Sequence, residues 1–146
     1  MAGLLDAPDQ GNGLLTRTYD IRGNLDAAHK TLRLTPQERA LYERHLTNLW
    51  GTGGVDHPDG SRSSLYQMTV TGPDGRYYNI PTVYGGRILE PDVAVQRAAS
   101  EGWKNFPAYD DADQAEARYQ AMHKYIDRDT DAYMAVRRGP LQLGEQ

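Results

Sequence analysis

Three short stretches of this 146-residue chain place acid–base or metal-binding side chains close together. Asp56-His57-Pro58-Asp59 sets two carboxylates beside an imidazole. That grouping is half of a metal site, or a general base flanked by acids. A zinc centre takes three or four directed ligands, and no second histidine cluster occurs at a matching spacing. Asp127, Asp129 and Asp131 follow the D-x-D-x-D opening of a calcium loop. Such a loop needs glycine where Ala132 stands and a closing glutamate where Arg138 stands. Ser61, Ser63 and Ser64 offer hydroxyls near His57, but no G-x-S-x-G elbow raises one of them as a nucleophile. Glycine patterns that cradle phosphates are absent from the sequence. His45 and His123 fall on expected helices, where histidine is ordinarily a core or surface residue. The sequence therefore predicts no catalytic residue, no metal ligand and no cofactor, hence a non-enzyme without a small-molecule substrate. A hydrolase built on His57 with Asp56 or Asp59 is the catalytic alternative.

These residues belong to a chain that reads as α+β. Thr35-Pro36-Gln37-Glu38 is a capping box with proline at the first helical position. Tyr42, Leu46, Leu49 and Trp50 then share one helical face, and the run ends at the glycines 51–54. Residues 51–64 are rich in turn formers. Tyr66, Met68 and Val70 alternate with Gln67, Thr69 and Thr71, the period of a half-buried strand. Pro73-Asp74-Gly75-Arg76 makes the turn, and 77–84 returns as the second strand. Pro81 has no N–H to donate, so an exposed sheet edge is expected there. A short strand at 87–89 would complete a small antiparallel, three-stranded sheet. Helices are expected over about 91–102 and from Asp110 or Asp111, with Trp103, Phe106 and Tyr109 plugging the core between them. A last helical piece passes through Tyr133 and Met134.

This gives three parts: an extended docking arm over 1–34, a compact domain over 35–138 and a flexible tail over 139–146. The arm carries two apolar pairs, Leu4–Leu5 and Leu14–Leu15, separated by a polar spacer. They are expected to anchor on a partner and to order on contact. One or two helical turns fit residues 24–31. The net charge is −4 with scattered basic residues, which argues against gripping nucleic-acid phosphates. No apolar run approaches the length of a membrane helix, and residues 1–15 do not read as a signal peptide. Cysteine is absent, which excludes disulfides and thiolate sites. Ten tyrosines stand against one phenylalanine. Tyrosine suits half-buried and interfacial surfaces. Tyr77 and Pro81 on the hairpin are the expected contact residues there, opposite the face of Tyr78 and Tyr84.

Four stretches together carry a family resemblance: GGVDHPDGSRSSLYQ (53–67), YNIPTVYGGRIL (78–89), the A-V-Q-R-A-x-x-x-G-W helix (94–103) and FPAYDDADQAEARYQAMHKYI (106–126). They are similar to small virion-associated proteins of tailed bacteriophages and to modules of larger phage virion proteins. The opening MAGLLD resembles the start of many phage structural proteins. The resemblance implies virion association without a catalytic set. The expected role is a structural component at the portal–tail axis, present in several copies and held by the arm. Its partners would be portal, tail or capsid subunits and copies of itself, in the virion and, before assembly, in the host cytoplasm. Alternatives are a head decoration, a minor ejected virion protein, or a non-structural module that recruits a factor through the hairpin.

Overall fold

A computed structural model describes residues 21–145, and the side chains of 25–137. The elements run α1 (Ile21–Leu32), α2 (Pro36–Trp50), β1 (Val55–Asp56), β2 (Arg62–Ser63), β3 (Met68–Thr71), β4 (Tyr77–Ile80), β5 (Val83–Tyr84), β6 (Arg87–Ile88), α3 (Pro91–Glu101), β7 (Ala108–Tyr109) and α4 (Ala112–Glu145). The protein is an α+β fold, as its patterning predicts, with four α-helices and small antiparallel sheets among the described residues.

Helix α2 begins where the capping box places it. The Thr35 hydroxyl accepts from the Glu38 N–H at 3.1 Å, and the Glu38 carboxylate accepts from the Thr35 N–H at 3.0 Å. Helix α1 precedes it and differs from the expected arm. Leu25, Ala28 and Leu34 are buried in one core cluster with Leu41, Tyr42, Leu46, Met122 and Ile126. The link works because Arg33 takes a left-handed φ of +55° and closes α1 with a 2.8 Å bond from its N–H to His29 O. The chain then reverses and α1 lies against α2 and α4. The boundary expected at residue 34 thus falls inside the folded body. Leu4, Leu5, Leu14 and Leu15 lie outside the described residues.

The expected long strand over 77–84 is two strands. β4 occupies the centre of a three-stranded sheet in the order β3-β4-β7, and β5 pairs instead with β6 in a separate ribbon. The third strand is therefore Ala108–Tyr109, not the stretch at 87–89. Pro81 does not expose an edge. It follows directly on β4 and is fully buried. A residue without an N–H fits where the ladder ends. Tyr77 is half-buried, opposite Thr71 on one side and Tyr109 on the other. Gly72 precedes the hairpin turn with no room for a side chain, since a Cβ there would meet the Tyr78 ring at 2.4 Å. Tyr78 packs on Trp103 and joins Ile80, Ala94, Ala98 and Phe106 in a second core cluster.

Helix α4 is one unbroken element rather than two helical pieces and a loose tail, and its backbone is helical through Glu145. Once nucleated, a helix extends at little further cost. Ala115, Met122, Ile126 and Met134 line its buried side. It touches α1, α2, β4 and β7 and so spans both clusters.

Candidate functional site: a buried relay beneath a cleft

The acidic and histidine groups that open the sequence reading are not brought together. Asp56 pairs with Arg62 and Arg137, each at 2.9 Å. Hydrogen bonds from Arg137 and then Arg62 hold its carboxyl below the usual range. Asp59 accepts from the Ser61 hydroxyl at 2.6 Å and the Ser61 N–H at 2.9 Å, and these bonds lower its pKa. His57 Nε2 meets Ser63 Oγ at 2.7 Å. Asp56, His57 and Asp59 thus share no partner. Asp127, Asp129 and Asp131 lie on continuous helix, where alternate residues point to nearly opposite sides. Asp129 turns into the core while the other two stay exposed. No cluster of metal-ligating residues occurs among the described residues.

The chemistry that does converge involves residues far apart in sequence. His45 is fully buried on α2. Its Nδ1 stands 2.5 Å from Ser64 Oγ, and its Nε2 stands 3.0 Å from Asp129 Oδ2. The same Asp129 oxygen accepts a very short hydrogen bond from the Tyr42 hydroxyl. Burial and then the Asp129 bond push the Tyr42 pKa far up, so its hydroxyl remains a donor. Asn48 fixes the loop by donating to Ser64 O at 2.9 Å. A serine, an imidazole and a carboxylate in contact are the parts of a hydrolytic relay. The imidazole's orientation is reversed from that template, with Nδ1 on the serine and Nε2 on the carboxylate, and no surface of His45 reaches solvent. The cluster ties α2, the loop at 64 and α4 together.

A second buried node lies two turns earlier on the same face of α2. Glu38 is fully buried. Beyond its capping role it receives Arg118 through two bonds of 2.8 and 2.9 Å and the Tyr109 hydroxyl at 2.6 Å. Arg118 also donates to Leu32 O at 2.9 Å. Burial pushes the Glu38 pKa up, but the Arg118, Tyr109 and Thr35 bonds outweigh it and the carboxyl ends below its ordinary 4.5. Asn79 adds a third tie, from Thr69 on β3 to Ala115 O on α4.

Above the His45 cluster, the loop 62–67 and one side of α4 enclose a cleft of roughly 180 Å³. Leu65 and Ile126 form its apolar floor, and Tyr66, Gln67, Tyr119 and Asp127 its walls. Tyr66 is 62 % exposed and holds a left-handed φ of +44°. Its carbonyl and that of Leu65 are pinned by Thr82, at 2.8 and 3.0 Å.

Sequence patterning did contain a sign of the His45 cluster. Position 45 lies on the same helical face as Tyr42, Leu46 and Leu49, and position 129 is three residues beyond Ile126 on the α4 stripe. A polar residue on an apolar stripe needs a buried partner. Which residue that partner is follows only from the tertiary fold. No protein-family model, no curated protein and no solved structure matches the chain.

Proposed function

We propose that the protein is a non-catalytic structural component of a tailed-phage particle, set at the portal–tail axis in several copies and joined to neighbouring virion proteins through its N-terminal segment. What supports this reading is the use the fold makes of its buried polar side chains. Glu38, His45 and Asn79 each bridge elements distant in sequence, so the polar interior braces a rigid body. The stretches that resemble phage virion proteins, from the loop at 53–67 to the first half of α4, form this body together with α1 and α2. Leu4–Leu5 and Leu14–Leu15, which lie outside the described residues, are the proposed anchors.

The test is deletion of residues 2–15. The deletion leaves α1, which begins at Ile21, and both core clusters whole, so the shortened chain should still unfold in one cooperative transition. It should fail to enter particles, scored by mass spectrometry of purified virions. Normal incorporation overturns the proposal. The non-catalytic half has its own check. A serine-directed fluorophosphonate should leave Ser64 unmodified, and labelling that disappears in Ser64→Ala would make the His45 cluster a working relay.

A further inference from the structure

The cleft above the His45 cluster has properties of its own. At roughly 180 Å³ it is smaller than the 300–1,000 Å³ usual for small-molecule sites. It accommodates a single side-chain head group. Gln67 is buried to nine-tenths, yet its Oε1 has no hydrogen-bond partner. An unpaired buried acceptor is costly, so a donor is needed there. Asp127 lies on the facing helix. One of its oxygens contacts His123 Nε2 at 3.3 Å, and the other has no partner among the described residues. Burial first, and then Glu116, Tyr66 and Asp127, push the Tyr119 pKa up, and the two carboxylates place negative charge near that wall.

Among the described residues the cleft holds two basic side chains, His123, which already contacts Asp127, and Arg62. Arg62 lines the cleft, but its guanidinium is committed to the carbonyls of Asn48, Leu49 and Gly51 and to Asp56. Tyr66 supplies the remaining feature. A left-handed backbone at a bulky residue is strained, and such strain collects at ligand clamps. Here it presents the ring outward, held by Thr82. Three other tyrosine rings of this chain lie under an arginine. Arg97 lies 4.4 Å from the centre of Tyr84, Arg128 5.3 Å from Tyr125 and Arg62 5.4 Å from Tyr133. Among the described residues no arginine covers Tyr66.

We infer that this cleft is a binding site for an arginine side chain of a partner protein, its guanidinium stacked on Tyr66 and donating to Gln67 Oε1 and Asp127. A planar cation with five donors matches an aromatic face, a carboxylate and a carbonyl at once. Among the described residues an anion finds no unpaired arginine or lysine there. A buried arginine flanked by tyrosine is also what dominates many protein interfaces. The inference goes beyond the virion reading and does not depend on it.

The test uses the full chain, labelled with ¹⁵N, and N-acetyl-arginine methylamide as probe. Saturable shifts are expected at the Gln67 side-chain amide and in residues 62–67 and 119–130, with an affinity on the order of millimolar for so small a ligand. N-acetyl-citrulline methylamide has nearly the same shape but no charge, and should bind at least about fivefold more weakly. Asp127 is exposed, so Asp127→Asn keeps the fold, and it should weaken arginine by a similar factor. Absence of saturable shifts, equal binding of citrulline, or an unchanged affinity in Asp127→Asn overturns the site. Preferential shifts with N-acetylglucosamine or inorganic phosphate would do so too. Binding is read on the free chain and incorporation on particles, so either can fail alone.

Discussion

At the scale of residues, Glu38 carries the most consequences. It caps α2, pairs with Arg118 and receives Tyr109, all from a site without solvent contact. Its folded pKa lies below the unfolded one, so the carboxylate's contribution is complete above the unfolded value. It is lost as pH falls through the lower folded value. Glu38→Gln should therefore destabilise the protein at neutral pH by roughly 3 kcal/mol, the usual cost of leaving a buried ion-pair partner alone. The gap between wild type and variant should then narrow as pH drops below about 4.5. Urea unfolding at a series of pH values checks this, because the other carboxylates titrate alike in both proteins. A gap of constant size from pH 7 to pH 3 would remove Glu38 from the acid response. Only part of this role was legible. The capping box shows in the local spacing of Thr35 and Glu38, whereas Arg118 stands 80 residues away and carries no local sign.

At the scale of elements, legibility followed local pattern. Helix α2 was readable because its cap, its proline and its apolar face agree. The β3–β4 hairpin was readable from strict alternation and a turn at 73–76, and the register Met68↔Ile80 to Thr71↔Tyr77 follows from it. Helix α1 was readable only as one or two turns over 24–31, not as a packed helix over Ile21–Leu32. Its buried positions are few, and it is held by Arg33, a non-glycine residue in a left-handed conformation that composition does not announce. β7 was missed for a related reason. A strand of two residues has no period, and Ala108–Tyr109 reaches the sheet only because the turn after α3 brings it alongside β4. Pro81 was misplaced because its lack of an N–H fits an edge and a strand end equally. Full pairing of β4 decides for the end. The His45 cluster lies between these extremes, since the stripes foretell burial at 45 and 129 and say nothing of Ser64.

At the scale of the whole molecule, the two core clusters raise the question of whether the protein unfolds as one body. The first is helical, around Leu25, Tyr42 and Met122, and the second gathers Tyr78 and Ile80 with α3. Each holds one tryptophan. Trp50 packs on the first and meets Tyr133 with ring centres 4.6 Å apart, and Trp103 packs on the second against Tyr78 at 5.0 Å. Three buried ties join the halves: Glu38 with Tyr109 and Arg118, Asn79 with Ala115, and the passage of α4 along both. Opening either half would leave a buried carboxylate or amide without its partners, at a cost comparable to a sizeable fraction of a domain's stability. The halves should therefore unfold together. In Trp103→Phe the emission of Trp50 reports on the helical cluster, and in Trp50→Phe the emission of Trp103 reports on the sheet. In each variant the denaturant midpoint from fluorescence excited near 295 nm should coincide with the midpoint from far-ultraviolet circular dichroism. Arg118→Met, made on either background, cuts one tie and should lower both midpoints together. If fluorescence and dichroism separate already with Arg118 in place, the two clusters are independent units, and the buried ties brace each half without joining them.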